Sequence, residues 1–302
     1  MTATDPQDPD RLKAAIRGVR GFVLDADGVI VLRGAPIPGA VEALRSLGAK
    51  GIPFRVVTNF SSAHRDTLSA RFMAGGLPIG RDRIVTGTSA AAAYTAERHP
   101  GRPLFVLASP DAQREFDGQH LLTAGEADGA ARGTVAAVVV GDAGEDLSFR
   151  NLDIAFRLIR GGADFLAMHR NAWWLTSKGE TLDAGAVVVG LEFATGRRAR
   201  VLGKPSPVVF RQAVAGLLAD IGERLPRRAM AMVGDDPQAD LAAAQRVGLR
   251  GILVLSGKTS QADVATLAGS RAGRGAGARG GRPVRGPDGV APSLAEVVAA
   301  LD

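Results

Sequence analysis

Two aspartates, Asp25 and Asp27, stand two residues apart directly after the apolar run Gly21-Phe22-Val23-Leu24. An apolar run that breaks into carboxylates at i and i+2 reads as a buried strand ending at a reactive edge. Two such groups repel each other unless a cation or a proton-transfer task accounts for them. Gly28 follows and lets the backbone turn away where a side chain would obstruct. Three further strand-like segments lead into polar groups: Thr58 and Asn59 after Ile52–Val57, Lys204 in Gly203-Lys204-Pro205 after Arg200–Leu202, and Asp235, Asp236 and Asp240 after Met230–Val233. The set holds carboxylates, one ammonium, one hydroxyl and several glycines, with no essential histidine and no cysteine.

Such a set suits chemistry at phosphorus. Asp25, Asp27 and Asp235 supply hard oxygen donors, which favour Mg²⁺. A carboxylate beside that ion can attack phosphorus and form an aspartyl-phosphate. The ion and Lys204 would offset the charge of the phosphoryl oxygens. Thr58 and the backbone N–H groups of Asn59 and Phe60, at a helix N-terminus, would hold the remaining oxygens. A second carboxylic acid would protonate the leaving oxygen and then deprotonate a water to cleave the intermediate.

The elements that must position these groups alternate along the chain. Phe22–Leu24 and Ile52–Val57 read as strands, and the spacing of Val41, Leu44 and Leu47 predicts a helix over Pro38–Lys50 that Gly51 can close. Ser61–Gly75 reads as helical, and Ser206-Pro207 reads as an N-cap and first-turn proline opening a helix through Leu218. Met230–Val233 and Gly251–Leu255 are further strands, with Asp240–Val247 helical between them and Pro292–Leu301 a short closing helix. This alternation argues for a parallel sheet covered on both faces, whose ligands bind at the carboxyl ends of the strands. The middle of the chain has its own alternation: strands at Leu104–Leu107, Val135–Val140 and Phe165–Met168, and an amphipathic helix at Asn151–Arg160. The expected organisation is therefore a core from residues 1–82 and 182–302 with a second α/β domain inserted at 83–181.

Composition bounds the alternatives. The chain has 302 residues, is 46% hydrophobic and lacks cysteine, which excludes disulfides, thiol catalysis and zinc–thiolate sites. Met1–Arg20 lacks the apolar stretch of a signal peptide, and no run approaches the ~18 apolar residues of a membrane helix. A cytoplasmic location and no membrane partner are the expectation. Of the net charge of +6, residues 271–289 carry +4, from five arginines against Asp288. The rest is near neutral, so the reading does not favour nucleic acid as a partner. That Gly/Arg-rich segment reads as a flexible loop.

Taken in order, Asp25-Ala26-Asp27-Gly28-Val29, Thr58-Asn59, Gly203-Lys204-Pro205 and Gly234-Asp235-Asp236…Asp240 resemble the four motifs of the haloacid dehalogenase superfamily. The insert between the second and third motifs resembles the type-IIA cap group, which includes p-nitrophenyl phosphatase and nucleotidase-like enzymes. Supporting stretches are Val138–Asp142, His169–Trp174, Leu191–Gly196 and Gly251–Val254. The resemblance spans residues 20–262. It implies a Rossmann-like, doubly wound α/β core with an inserted α/β cap of type C2, and a Mg²⁺-dependent phosphatase acting on a small phosphorylated metabolite. It makes Asp25 the nucleophile and a metal ligand. Asp27 becomes the general acid/base and lends its backbone carbonyl to the metal. Thr58, Asn59 and Lys204 would bind phosphate, Asp235 would complete the metal site, and Asp240 would act on the metal through water. Phe60 departs from the polar residue that many relatives carry there. Relatives often assemble through their caps, so the resemblance admits a homodimer.

Blander readings stand beside these. A calcium loop would want an oxygen ligand at position 29, where Val29 stands. Gly275-Ala276-Gly277-Ala278-Arg279-Gly280 matches a dinucleotide fingerprint but follows no strand. Asp236 reads as a turn residue rather than a ligand, Trp173 and Trp174 as packing residues, and His64 and His99 as surface groups. Two other functions fit the same chain. One is phosphoryl transfer to an acceptor other than water; the other is a non-catalytic protein binding nucleic acid through its Arg-rich loop.

Overall fold

The computed structural model describes residues 9–176, 179–264 and 286–301. In chain order its strands are β1 (Gly21–Asp25), β2 (Val31–Leu32), β3 (Ala35–Pro36), β4 (Phe54–Thr58), β5 (Ile84–Thr86), β6 (Leu104–Leu107), β7 (Ala137–Val140), β8 (Asp164–Ala167), β9 (Trp173–Thr176), β10 (Gly179–Leu182), β11 (Arg200–Val201), β12 (Met230–Gly234), β13 (Arg250–Val254) and β14 (Gly289–Ala291). The chain is α/β and divides into two units. One comprises the chain up to Val57, Arg71–Ile84 and the chain from Phe210 onward; the other comprises Thr58–Ala70 and Val85–Val209.

The first unit is built on a sheet of order β14-β13-β12-β1-β4-β5. β1 lies between β12 and β4, parallel to both, with Leu24 opposite Val233 and Asp25 opposite Val57. β13 adds parallel to β12, and β14 parallel to β13. Every residue of β1, β4 and β12 is buried, which is why these strands read as largely apolar runs rather than alternating ones. Parallel strands point their carboxyl ends to one edge, so Asp25 and the Gly234-Asp235 junction lie on the same edge of neighbouring strands.

One charge interrupts this core. Arg55, buried in β4, places its guanidinium on Asp220 Oδ1 at 2.9 Å and on the Gly216 carbonyl at 2.9 Å. An unpartnered charge there would cost several kcal/mol. The hydrogen bond from Arg55 holds the Asp220 carboxyl below its ordinary range, against a smaller opposing effect of burial. Gly216 is what lets the guanidinium lie against the helix Pro207–Ile221, since a Cβ there would sit 2.6 Å from Arg55 Nε.

The second unit carries a parallel sheet of order β11-β8-β7-β6. The helix Phe149–Arg160 starts at Ser148, whose hydroxyl accepts from Asn151 N–H. Its buried face (Ile154, Ala155, Leu158, Ile159) joins Val138, Val140 and Phe165 in one core. Val188 and Leu191 complete that core from the helix Gly185–Thr195, which the residue pattern does not reveal.

Several expectations are corrected. The helix after Thr58-Asn59 begins at Arg65, not Ser61, because Ser61 is drawn into other bonds described below. The helix expected over Asp240–Val247 is a π-helical turn, Pro237–Ala242, followed by a short α-helix, Ala243–Arg246. Residues 265–285, most of the Gly/Arg-rich segment, lie outside the described residues, and with them the Gly275–Gly280 fingerprint. Its end is not a loop: Asp288 Oδ2 accepts from Gly251 N–H at 2.8 Å, and Gly289 opens β14. His64 is buried, with Nδ1 3.2 Å from Asp66 Oδ2 and Nε2 3.7 Å from Glu115, and His99 meets Asp164 at 3.1 Å. Trp173 and Trp174 are 55% and 39% exposed on the β9–β10 hairpin, so they do not pack in a core.

Candidate active site

Asp25 ends β1, and Asp235 follows the last residue of β12. One carboxylate oxygen from each of Asp25, Asp235 and Asp240 lies within 4.8 Å of the others, and all three residues are buried. Three carboxylates so confined repel one another when ionised, and a bound cation would offset that repulsion. The donors are hard oxygens with no nitrogen or sulfur among them, which fits a divalent ion of the magnesium class.

Asp240 reaches the cluster through the π-helical turn. Leu241 N–H bonds back to the Asp236 carbonyl at 3.4 Å, five residues away. Asp236 N–H donates to Asp240 Oδ2 at 3.1 Å. Such wide turns recur at functional sites. Gly234 makes room, since a Cβ there would lie 2.5 Å from Asp240 Cβ. Asp236 itself caps the turn, accepting from Gln238 N–H at 2.8 Å and Ala239 N–H at 3.0 Å, and it pairs with Lys258 Nζ at 2.6 Å. Burial pushes the Asp236 carboxyl up, but these bonds prevail and hold it below the ordinary carboxylate range.

Asp27 is exposed where Asp25 is buried. Between Asp27 and the following turn, Gly28 adopts φ +77°, and its N–H donates to the Val31 carbonyl at 2.8 Å. A Cβ on Gly28 would sit 2.1 Å from Asp235 Oδ2, so this position needs glycine for its conformation and for its clearance.

A further segment touches this site and is not among the sequence-predicted residues. Ser256 Oγ donates to the Gly28 carbonyl at 2.6 Å, Lys258 N–H to Asp235 Oδ2 at 2.7 Å, and Thr259 Oγ1 to the Asp235 carbonyl at 2.5 Å. The available signal is that Ser256-Gly257-Lys258-Thr259 follows β13 much as the named motifs follow their strands. The Lys258 ammonium is raised above its ordinary value, first by its bond to Asp236, with the fields of Asp235 and Asp240 adding to it against burial.

The predicted phosphate-binding residues lie in the second unit. Thr58 is buried and closes β4. Its Oγ1 accepts from Phe60 N–H at 3.1 Å, so that N–H serves the loop itself rather than standing open at a helix N-terminus as the sequence suggests. Asn59 grips the backbone of Lys204: Oδ1 accepts from Lys204 N–H at 2.8 Å, and Nδ2 donates to the Lys204 carbonyl at 3.0 Å. Lys204 is buried. Gly203 has no space for a side chain, because a Cβ would meet the Met168 carbonyl at 2.3 Å and Asn59 Oδ1 at 2.6 Å. The structure thus joins Asn59 with Lys204 in this unit, and Asp25 with Asp235 and Asp240 in the other.

Next to Asn59 runs a polar network that is buried at Ser61 and His169. Asn59 Nδ2 donates to Asn171 Oδ1 at 3.2 Å, and His169 Nε2 lies 2.9 Å from Ser61 Oγ. Ser61 Oγ also accepts from Asp142 N–H at 3.2 Å, and Asp183 Oδ1 lies 3.6 Å from the His169 ring. Burial pushes the His169 imidazole down, against the upward pull of Asp183 and Asp142. The unfolded chain therefore takes up a proton near pH 6.5 that the native ring resists. The stability held by the neutral ring is complete above that pH and falls as pH drops through the window below it. The slope contributed is at most about 1.4 kcal/mol per pH unit. Urea midpoints at pH 7 and pH 5 will show the loss, and His169→Gln will flatten the pH dependence. An unchanged slope in the variant overturns the assignment.

A family model described as haloacid dehalogenase-like hydrolase matches residues 22–121, and a second model of the same kind matches residues 201–297. Human haloacid dehalogenase-like hydrolase domain-containing protein 2 is 33% identical over 250 residues, covering 83% of this chain and 89% of that protein. Human phospholysine phosphohistidine inorganic pyrophosphate phosphatase is 30% identical over 254 residues, covering 82% and 87%. Among solved structures, p-nitrophenyl phosphatase from Archaeoglobus fulgidus superposes with a TM-score of 0.77 at 28% identity, covering 93% of this chain and 98% of that one.

Proposed function

From the premise that the chain belongs to the haloacid dehalogenase-like hydrolase family, we propose that it is a Mg²⁺-dependent phosphatase working through an aspartyl-phosphate on Asp25. The observation that carries this reading is the buried cluster that Asp25 and Asp235, at the ends of neighbouring parallel strands, form with Asp240 from the π-helical turn. When bound there, Mg²⁺ supplies charge compensation to the phosphoryl group and to the three carboxylates.

The chain's own residues divide the remaining work. A carboxylate oxygen of Asp25 forms a bond to phosphorus as the bond from phosphorus to the substrate oxygen breaks. That oxygen takes its proton from Asp27. The exposure of Asp27 suits a group that must meet a leaving oxygen and exchange protons with water. Asp27, now ionised, takes a proton from a water as that water attacks the phosphorus, and phosphate leaves Asp25 regenerated. Thr58, Asn59 and Lys204 hold the phosphoryl oxygens, with Lys204 supplying a positive charge.

In this reading residues 83–181 act as the cap that selects among small phosphorylated metabolites: sugar phosphates, nucleoside monophosphates, phosphoglycolate-like acids, pyrophosphate or phosphoamidates. Its cysteine-free composition accords with a cytoplasmic location; among the described residues no helix is long and apolar enough to cross a membrane. The test is phosphate release from p-nitrophenyl phosphate with Mg²⁺, followed by a panel of those metabolite classes. We expect turnover of the chromogenic ester and preference for one class. Absence of phosphate release throughout overturns the reading, and transfer of the phosphoryl group to an acceptor other than water redirects it.

A further inference from the structure

We propose that the loop Ser256–Thr259 is a positioning element that locks the Asp235 carboxylate in its cation-binding orientation before the ion arrives. The inference rests on the metal-dependent reading above and extends it to residues outside the four motifs. Each hydrogen bond described for residues 256–259 toward the acidic loops lands on Gly28, Asp235 or Asp236. Thr259 Oγ1 holds the Asp235 carbonyl at 2.5 Å, and Lys258 N–H holds Asp235 Oδ2 at 2.7 Å. Ser256 Oγ ties the loop to the Gly28 carbonyl at 2.6 Å, and Lys258 Nζ ties it to Asp236 Oδ2 at 2.6 Å. Backbone and side chain of Asp235 are therefore both fixed from the same loop.

Sterics point the same way. A Cβ built on Gly257 would lie 2.1 Å from Asp235 Oδ2 and 2.6 Å from Gly28 Cα. A Cβ built on Gly28 would reach the same oxygen at 2.1 Å. One oxygen of the Asp235 carboxylate lies close against two glycine backbones, where a side chain on either glycine would clash with it. With one oxygen committed to a main-chain N–H, the carboxylate cannot swing away to relieve repulsion from Asp25 and Asp240. Partners of this kind around a metal ligand are worth about 10–100-fold in metal affinity.

The experiment is calorimetric titration of Mg²⁺ into the full chain after EDTA treatment and buffer exchange, for wild type, Gly257→Ala, Thr259→Val and Thr259→Ser. Unfolding midpoints in EDTA are measured alongside. Gly257→Ala and Thr259→Val should each weaken Mg²⁺ binding by about tenfold or more. Thr259→Ser, which restores the hydroxyl, should bind as wild type does, with EDTA midpoints of the two Thr259 variants alike. If Gly257→Ala fails to fold, the Thr259 pair decides alone. Wild type that binds Mg²⁺ while Thr259→Val binds equally well overturns this proposal and leaves the metal-dependent reading standing. Wild type that takes up no Mg²⁺ overturns both.

Discussion

Replacing Asp25 with Asn is expected to yield a folded protein without turnover. An amide oxygen can still accept the 2.6 Å bond that Ala26 N–H makes to Asp25 Oδ1, so the end of β1 keeps its geometry. What should disappear is the proposed nucleophile, because a neutral amide does not form an acyl-phosphate. The expected loss is about four orders of magnitude or more in kcat, or about 5.4 kcal/mol in the barrier. The electrostatics add a second signature. Asp25 is one of three buried carboxylates within 4.8 Å of one another, and in the absence of metal their repulsion opposes folding. In EDTA the Asp25→Asn variant should therefore melt at or above the wild-type temperature while its p-nitrophenyl phosphate activity is gone. A variant retaining more than a hundredth of wild-type activity would sink the nucleophile assignment.

Chelation should have an effect of similar size without any change in the chain. EDTA is expected to reduce turnover to background, and added Mg²⁺ to restore it. The same ion should stabilise the fold if it binds the native cluster as proposed, since the unfolded chain offers no preformed one. At a hundredfold excess over its dissociation constant the gain is about 2.7 kcal/mol. Asp235→Asn should forfeit most of that gain, since it removes one of the three clustered charges. The measurement is a pair of thermal melts, with EDTA and with Mg²⁺, run beside the activity assay. Full activity after exhaustive chelation would remove the cation from the mechanism.

The strand-end residues were legible because their physics is local. β1, β4 and β12 are fully buried, so apart from Arg55, whose charge Asp220 meets, their residues are apolar until the polar groups at the sheet edge. Asp25, Thr58 and Asp235 are conspicuous against that background. The rest is decided by pairings that leave no local trace. Ser61 and His169 are 108 residues apart, and neither neighbourhood shows the other. His64 likewise reads as a solvated histidine until Glu115 is brought against it. Ser256-Gly257-Lys258-Thr259 has the composition of any surface turn, and its importance comes from what β13 sets it beside. The helix Gly185–Thr195 carries Val187-Val188-Val189-Gly190, a β-branched run with a glycine and no helical stripe. Packing of Val188 and Leu191 onto the core overrides that propensity.

The π-helical turn at Pro237–Ala242 has a genetic consequence. Connections at the edge of a sheet normally absorb insertions and deletions, because a loop can bulge or tighten without disturbing the strands. This one cannot, since the spacing from Asp236 to Asp240 is what brings a capping carboxylate and a clustered carboxylate to the same strand end. Loss of a single residue there would tighten the turn toward ordinary α-helix and carry Asp240 off its heading. The sheet and its core would remain. In a lineage of such chains, length should drift freely around this segment and stand still within it.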